Sequence, residues 1–426
     1  LWPSVAEFYV YDEILYRAMY TDRARNDQYK AIFEKQLKEA IVLEIGPGPE
    51  LILSRMALEA GASHVYAVEL LEETYLRAKK RLEGLQLESR ITLIHGDATK
   101  VSLPVKVDYC ISEIVGGIGG SEGAALIINA VRDQLLDPTH MIPSRSRTMI
   151  AAADLDQNPL LKGFPDIAGH YVERIFEEQG YAFDLRLCIK DFPKASICSN
   201  NDDFEDLDYT THVALEASHE IHLRFTRACL FTGFVVWLTL HIDESHQIDI
   251  LETPESWLPV WLPVSIEGIK VSEGDVFTGS IQRTLSENGL NPDFSLTGTL
   301  KRQSATDVPI QLDSPHNKPL FKKSSFYKAL FVQEVPRIIR STSEAELKTF
   351  LSQQLPAYMI PAALIQVEKF PLTGRGKIDK NALSPPESII EALDEDHSPR
   401  TDEEKSLAKI WCDVLGKQQL NLTDHF

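Results

Sequence analysis

Short apolar runs alternate with amphipathic stretches through the first third of the chain. Residues 7–38 follow a helical period, and strand-like and helix-like patterns alternate from residue 40 onwards. The strand-like runs are 40–45, 64–68, 91–95 and 107–112, and helical patterns lie in the fifties and at 74–85. Strands separated by helices in this way form a parallel sheet with crossover helices. We therefore predict an α/β fold with N-terminal helices over residues 1–148.

The pattern changes between residues 149 and 330. Strand-like runs bounded by turn signals dominate here, and helical patterns are few. Examples are 221–225, 233–242 and 279–285, the last ending before the turn sequence Glu287-Asn288-Gly289. This texture predicts a mostly antiparallel β domain, a barrel or a sandwich.

The final hundred residues form a third region. A short helix is predicted at 344–354, followed by a Pro-rich passage, and an amphipathic helix is predicted at 401–416. We divide the region into a small α+β piece at 331–387, a linker at 388–400 and the start of a further domain at 401–426.

Composition narrows the class of protein. With 426 residues, of which 43% are hydrophobic, the chain is long enough for more than one core. A net charge of −20 argues against binding to nucleic acid or an anionic membrane. The longest apolar run, 228–240, is shorter than the roughly 20 residues of a membrane helix. The five cysteines form no CxxC pair and suggest free thiols in the cytoplasm. Since the chain begins without methionine, we expect it to be part of something longer.

Three strand ends carry the residues of a nucleotide site. The run 42–48 leads into a turn where Gly46 and Gly48 permit close approach of a ligand. Glu69 ends the next strand, where a carboxylate accepts hydrogen bonds from ribose hydroxyls. Asp97 and Ala98 follow the third strand, where an acidic side chain would meet an adenine amino group. The first two features fit either a nicotinamide dehydrogenase or a methyltransferase.

The segments around these strands favour the methyltransferase. Leu51 stands where the dehydrogenase motif GxGxxG has its third glycine. The preceding helix reads Met19-x-x-Asp22-x-x-Arg25-x-x-x-Tyr29 and resembles that of the protein arginine methyltransferases. The resemblance extends over roughly residues 7–330. It implies a Rossmann-like class I methyltransferase sheet that binds S-adenosylmethionine. The cofactor residues that it implies are Met19, Arg25, Glu44, Gly46, Gly48, Glu69, Asp97, Ala98 and Glu113, with Arg25 on the methionine carboxylate and Met19 near the sulfonium.

Two glutamates are the candidate catalytic residues. Glu113 ends the fourth predicted strand and Glu122 follows nine residues later, as in the two-glutamate loop of the arginine methyltransferases. Two carboxylates at one pocket can hold a cation, or one can accept a proton while the other orients the acceptor. No metal ligand set is predicted.

Two departures from that family bear on the acceptor. The loop 116–120 reads Gly-Gly-Ile-Gly-Gly where the family carries bulky residues, so we expect a more open pocket. Glu255-Ser256-Trp257 stands where the family has Thr-His-Trp, which removes the histidine that orients a helix acid. Arginine is therefore a poor expectation as the substrate.

The C-terminal region resembles a different family. Residues 355–361 and 370–379 are similar to the last two core motifs of adenylation domains in nonribosomal peptide synthetases. The resemblance implies that Lys377 contacts the aminoacyl adenylate in the complete domain; Arg375 departs from the usual asparagine. Residues 400–411 resemble the first helix of a peptidyl carrier domain, whose phosphopantetheine-bearing serine is expected beyond the chain.

Together the two resemblances imply a methyltransferase inserted late in an adenylation domain. The expected acceptor is an aminoacyl group on a carrier domain, and the expected partners are that carrier and the remaining synthetase. Side-chain O-methylation is slightly preferred, with methylation of the α-amine as the alternative. A vestigial insert that only spaces its neighbours is a second alternative, and a free-standing protein methyltransferase is a third.

Overall fold

A computed structural model of the chain describes residues 1–155, 163–253, 256–331, 344–356, 359–361, 364–365, 383 and 399–415. It divides into two compact units, Leu1–Arg337 and Ile338–Phe426. The helices of the first unit are α1 (Glu13–Thr21), α2 (Arg23–Gln36), α3 (Ile52–Glu59), α4 (Glu72–Leu85), α5 (Ala124–Val131), α6 (Asp166–Gln179) and α7 (Ser325–Leu330), with 3₁₀ turns at Ala6–Phe8, Arg132–Gln134 and Lys194–Ser196.

A five-stranded parallel sheet forms the first half of this unit, in the order β4-β3-β2-β5-β6. Its strands are β2 (Ile41–Ile45), β3 (His64–Glu69), β4 (Ile91–His95), β5 (Tyr109–Ser112) and β6 (Met141–Ile142). The predicted α/β fold is confirmed. The sheet order reverses direction at β2, and ligands bind at the carboxyl ends of strands beside such a point.

Side-chain caps fix the two N-terminal helices. Asp12 accepts hydrogen bonds from the backbone amides of Ile14 and Leu15 at the start of α1. Asp22 accepts one from the amide of Arg25 at 2.9 Å at the start of α2. Each cap satisfies amides that have no partner within the helix. The hydroxyl of Tyr29, on α2, donates to the carbonyl of Ser112 at 3.0 Å and so holds this helix against the end of β5.

The second half of the unit is antiparallel, as predicted, and consists of a seven-stranded, a four-stranded and a two-stranded sheet. The first has the order β1-β8-β14-β12-β7-β9, with β13 also paired to β12; the others are β10-β16-β17-β18 and β11-β15. The strands are β1 (Trp2–Pro3), β7 (Arg145–Ala153), β8 (Leu187–Cys188), β9 (Ile197–Asp208), β10 (Ala217–Arg224), β11 (Cys229–Phe231), β12 (Gly233–His241), β13 (Gln247–Asp249), β14 (Val260–Pro263), β15 (Ile269–Val271), β16 (Val276–Leu285), β17 (Pro292–Lys301) and β18 (Val308–Ser314).

The N-terminus crosses from one half to the other. β1 pairs with β8 of the seven-stranded sheet before the chain enters α1. Glu7 reinforces this crossing, because its buried carboxylate accepts hydrogen bonds from Arg186 at 2.5 Å and His316 at 3.0 Å. The segment between β1 and α1 is thus fixed against the antiparallel half, which places Tyr9 and Tyr11 beside the parallel sheet.

The second unit contains the helices α8 (Glu344–Gln354) and α9 (Asp402–Leu415). They match the predicted 344–354 and, within a residue at each end, 401–416. Lys377, Arg375 and most of the predicted linker 388–400 lie outside the described residues. Among the helices that the structure describes, none is long and apolar enough to span a membrane.

Candidate functional site

A cavity of about 470 Å³ lies at the carboxyl ends of the central parallel strands. It brings together every described residue that the sequence indicated, from positions more than 100 residues apart. These residues are Met19, Arg25, Glu44, Gly46, Gly48, Glu69, Asp97, Ala98, Glu113 and Glu122. Lys377 lies outside the described residues.

The glycine turn and Glu69 form one wall of the cavity. Gly46 and Gly48 have φ values of +68° and +66°, in the left-handed region that favours glycine. Glu69 accepts hydrogen bonds from the amides of Gly48 at 3.3 Å and Leu71 at 2.9 Å, so each oxygen is held by one backbone donor. A carboxylate has about four acceptor positions, which leaves capacity for two ribose hydroxyls.

The third strand end carries Asp97 and Ala98, which both line the cavity. Asp97 accepts hydrogen bonds from the amide and the hydroxyl of Thr99, at 2.9 and 2.7 Å, and pairs with Lys100 at 2.9 Å. Partial burial opposes ionisation of Asp97, but these hydrogen bonds outweigh burial and lower its pKa. The side chain is therefore an ionised acceptor at the edge of the cavity.

Arg25 connects the helix α2 to the first candidate catalytic residue. Its guanidinium lies 2.5 Å from Glu113 and donates to the carbonyl of Met19 at 3.0 Å. Its buried Nε has no hydrogen-bond partner among the described residues. Burial raises the pKa of Glu113, and the guanidinium opposes this rise. The ion pair thus compensates the charge of Glu113 and leaves Arg25 with an unused donor.

Glu122 has a different environment. No basic side chain in the described part of the chain lies within ion-pair distance of it, and its nearest polar partner is the hydroxyl of Tyr11 at 3.5 Å. Burial, together with the nearby carboxylates of Glu113 and Glu7, raises the pKa of Glu122 to about 8. Of the two candidate catalytic glutamates, Glu113 is charge-compensated, whereas Glu122 has no cation among the described residues.

Glu44 lies below the glycine turn. It is only 1% exposed and accepts a hydrogen bond from the hydroxyl of Ser54. Burial raises its pKa to about 7, although the bond from Ser54 opposes the rise. Because Glu44 is buried, we expect it to support the glycine turn from below.

The glycine loop 116–120 is closely packed against the protein, so its glycines do not open the pocket as the sequence suggested. A Cβ added at Gly119 would lie 1.8 Å from the hydroxyl of Ser146 on β7. The amide of Gly120 donates to Glu205 at 2.7 Å, and Glu205 pairs with Arg283 at 3.0 Å. The small residues let the loop pack directly against the antiparallel half, and this contact holds the segment that leads to Glu122.

The helix acid that was expected to lack a partner has one. The hydroxyl of Ser256 donates to Asp22 at 2.5 Å, and its backbone amide donates to the same oxygen at 3.2 Å. The next residue, Trp257, donates from its indole nitrogen to the carbonyl of Val115 at 2.8 Å. Ser256 thus occupies the orienting position for which the sequence indicated no occupant. Because Asp22 caps α2, the contact also supports Arg25.

Replacing Ser256 with alanine tests this contact. We expect S256A to lower the free energy of unfolding by about 1.5–3 kcal/mol, the range for a hydrogen bond to a charged group. Urea unfolding measures the change, and S256T, which keeps the hydroxyl, is the matched control. If S256A unfolds at the same urea concentration as the wild type, the hydroxyl does not hold Asp22.

Four tyrosines in the cavity wall were not identified from the sequence: Tyr9, Tyr11, Tyr16 and Tyr20. Tyr11 stacks on Tyr16 at 5.4 Å between ring centroids, and Tyr16 stacks on Tyr20 at 6.2 Å. The spacing of Tyr16 and Tyr20 on one face of α1 was a usable signal. The position of Tyr11 depends on the long-range pairing of β1, so the sequence carried no usable signal for it. Aromatic faces beside a cavity suit a cationic group such as a sulfonium.

The described residues fit S-adenosylmethionine. Glu69 has free acceptor positions for the ribose, Asp97 is an acceptor for the adenine amino group, and the orphan Nε of Arg25 is a donor for a carboxylate. In the described part of the chain, no group of three or more His, Cys, Asp or Glu side chains is placed to hold a metal ion.

Comparison with known proteins defines the class. Residues 5–142 match the family model described as PRMT5 arginine-N-methyltransferase. The fold is similar to that of protein arginine methyltransferase 10 of Arabidopsis thaliana, at a TM-score of 0.58 and 20% identity over 71% of this chain and 97% of that one. It is also similar to a Trypanosoma brucei PRMT1 enzyme-prozyme complex with AdoHcy, at a TM-score of 0.58 and 21% identity. That match covers 71% of this chain and 99% of the other. The N-terminal region is an S-adenosylmethionine-dependent methyltransferase domain, and most of it matches an arginine-methyltransferase family model.

The chain is also similar to a second group of proteins, the peptide synthetases. The chain is 44% identical over 87 residues to bacitracin synthase 3 of Bacillus licheniformis, which is 20% of this chain and 1% of that protein. It is 32% identical over 127 residues to gramicidin S synthase 1 of Brevibacillus brevis, 30% of this chain and 11% of that protein. The chain thus spans only a small part of these relatives. A methyltransferase region and a stretch similar to the nonribosomal peptide synthetases therefore occur in one chain.

Proposed function

We propose that the domain methylates the α-amine of an aminoacyl group tethered to a carrier domain. The observation that carries this proposal is the unequal environment of the two glutamates. Glu113 is paired with Arg25, whereas Glu122 has no cation among the described residues. A protonated amine supplies the positive charge that Glu122 lacks, and the ionised Glu122 then takes the proton from it.

This arrangement moves the preference away from side-chain O-methylation. The O-methylation scheme requires one glutamate for the ammonium group and a second for the hydroxyl. Arg25 compensates the charge of Glu113, so only Glu122 is available for an incoming cation. One carboxylate suffices for an amine, because it both orients the nitrogen and removes its proton.

The residues divide the reaction between them. Bound S-adenosylmethionine supplies a methyl group on a positively charged sulfur. The neutral amine nitrogen forms the new N–CH₃ bond as the S–CH₃ bond breaks, and Glu122 retains the proton. Glu69, Asp97 and Arg25 would hold the donor, and the packed loop 116–120 fixes Glu122 relative to it. Positioning and proton removal account for the catalysis.

The tethered acceptor follows from the synthetase similarity. The matched stretch of 87 residues is about as long as the second unit, Ile338–Phe426. We propose the domain division given above for the sequence: the methyltransferase at 1–148, its β domain at 149–330, the end of an adenylation domain at 331–387 and the start of a carrier at 401–426. The acceptor would arrive on the phosphopantetheine arm of that carrier. A cytoplasmic location is consistent with the five free cysteines.

A pair of matched acceptors tests the nucleophile. A carrier charged with an alanyl group is compared with one charged with a lactyl group, which has a hydroxyl in place of the amine. We expect methylation of the alanyl carrier and none of the lactyl carrier. Equal methylation of the two would overturn the proposal. Calorimetry with S-adenosylmethionine tests the spacer alternative, which predicts no heat of binding below millimolar cofactor.

The pH dependence tests the role of Glu122. A base must be deprotonated to act, so kcat/KM is low below the pKa of about 8 and rises towards a plateau above it. We call this rise of kcat/KM with pH the acid limb. The hydrogen bond from Tyr11 lowers the pKa of Glu122, so its loss in Y11F should move the acid limb to higher pH. Initial rates between pH 6 and 10 measure both effects. A limb that Y11F leaves in place would assign the titration to another group.

A further inference from the structure

The turn between β16 and β17, residues 286–291, is held in one conformation by its own side chains. The side-chain oxygen of Asn288 accepts hydrogen bonds from the hydroxyl of Ser286 at 2.7 Å and from the amides of Leu290 and Asn291 at 2.9 and 3.0 Å. Its amide nitrogen donates to the side chain of Asn291 at 2.8 Å. Gly289 takes a left-handed φ of +71°. The turn is therefore preorganised.

This turn docks on the loop that carries Glu122. The side-chain amide of Asn291 donates to the backbone carbonyl of Ser121 at 2.8 Å, and both residues are 1% exposed. Leu290 covers Gly123, where an added Cβ would lie 2.5 Å from the leucine Cδ1. The two contacts bracket Glu122 on either side. The antiparallel half thus fixes the position of the proposed base.

The turn also lines the cavity. The cavity that contains Glu113 and Glu122 is also lined by Asn288, Gly289 and Leu290. The other side chains that flank the two glutamates in sequence and line the cavity are aliphatic: Ile114, Leu126 and Ile127. With Leu290 they add apolar surface to the wall of the cavity that also contains Glu122.

We infer that the turn 286–291 is the specificity-determining wall for the acceptor. Leu290 limits the size of the acceptor side chain, and Asn291 is a positioning residue for Glu122. This inference rests on the proposed function and names its substrate class: aminoacyl groups with compact, uncharged side chains. The α-amine meets Glu122 while the side chain contacts Leu126, Ile127 and Leu290. The apolar side chains of Leu126, Ile127 and Leu290 offer no ion-pair partner to an acidic or basic acceptor side chain.

A panel of charged carriers tests the role of Leu290. The wild type should methylate alanyl and valyl carriers at least about tenfold more efficiently than aspartyl or lysyl carriers. In L290A the ratio of kcat/KM for leucyl over alanyl should rise about tenfold or more, since each methylene accommodated in an apolar pocket counts for that much. L230A, which shortens an exposed leucine on β11 outside the cavity, should leave the ratio unchanged. An unchanged ratio in L290A would overturn the inference.

Asn291 requires a separate test. N291D removes the donor to Ser121 and adds a negative charge near Glu122. It should lower kcat about tenfold, leave the KM for S-adenosylmethionine unchanged and move the acid limb to higher pH. N317D changes a half-buried asparagine away from the cavity and should not move the acid limb. If N291D loses thermal stability but its acid limb does not shift, Asn291 has only a structural role and does not position Glu122.

Binding separates this inference from the proposed function. If the wild type fails to methylate an alanyl carrier, the proposed function fails before any variant is made. The affinity of alanyl and leucyl pantetheine thioesters in the presence of S-adenosylhomocysteine then still reports on the turn. L290A should shift the relative affinity towards leucyl, and the absence of a shift would overturn the assignment of Leu290.

Discussion

Replacing Glu122 with glutamine should lower kcat by roughly 10²–10⁴-fold, the range for loss of a general base. Glutamine has nearly the same shape but cannot take a proton from the amine. It also removes the negative charge that faces an incoming ammonium group. The affinity for S-adenosylmethionine should stay the same, because the residues proposed to hold the donor are Glu69, Asp97 and Arg25. Single-turnover rates and calorimetry measure the two quantities.

Two controls accompany E122Q. E83Q neutralises an exposed glutamate on α4 and should have wild-type activity. E122D keeps the acid on a shorter side chain and should retain a measurable part of the rate. Wild-type turnover by E122Q would show that the proton leaves by another route and would contradict the assignment of the base.

Replacing Arg25 with alanine should have the second large effect. The ion pair with Glu113 is almost completely buried, with side chains 5% and 7% exposed. Removing one partner of such a pair costs about 3–5 kcal/mol because it leaves the other charge buried alone. The variant also loses the donor offered to the cofactor carboxylate, so its affinity for S-adenosylmethionine should fall roughly 10–100-fold.

The double variant R25A/E113Q separates these two effects. The neutral glutamine removes the isolated charge, so the thermal stability should recover. The cofactor affinity should not recover, because the guanidinium is still missing. Recovery of both would mean that Arg25 acts only as a counter-ion for Glu113. R25K keeps a positive charge but lacks the planar donor geometry of arginine. Its affinity for S-adenosylmethionine should lie between those of the wild type and R25A.

Local periodicity predicted most of the parallel half. The strands β2, β3 and β4 lie within one residue of the predicted bounds, because buried runs between helices leave a strong pattern. The antiparallel pairing of β1 with β8 was not predictable, since it joins residues far apart in the sequence. The helix α6, in the region predicted to be mostly strands, was also not predicted.

The sequence predicted which residues line the cavity more completely than it predicted the contacts between them. Every described candidate lines the cavity, because the ends of parallel strands converge at one edge of the sheet. The pairing of Arg25 with Glu113 and the contact of Ser256 with Asp22 were missed, since the spacing along the chain does not report side-chain contacts. The glycines at 116–120 were misread for the same reason: small residues permit either open space or close packing.

The reactive end of the cavity depends on three separate segments. The N-terminal segment supplies Tyr11, the glycine loop supplies Glu122, and the turn 286–291 closes over that loop. The first two are held by the antiparallel half, through β1 and Glu205. The third belongs to that half and contacts the loop through Asn291. Glu69 ends β3 and Asp97 follows β4, and we propose that these residues hold the methyl donor. On that proposal donor binding and acceptor positioning are separate, so Leu290 and Asn291 should affect the acceptor alone.

The central claim is tested most directly by the position of the transferred methyl group. The full chain is incubated with S-adenosylmethionine carrying a deuterated methyl group and a carrier charged with a seryl group, which offers both an amine and a hydroxyl. Tandem mass spectrometry of the released amino acid then locates the label. We predict that the label lies on the α-nitrogen and is absent from the product of E122Q. A label on the side-chain oxygen, or no label with the wild type, would contradict the account.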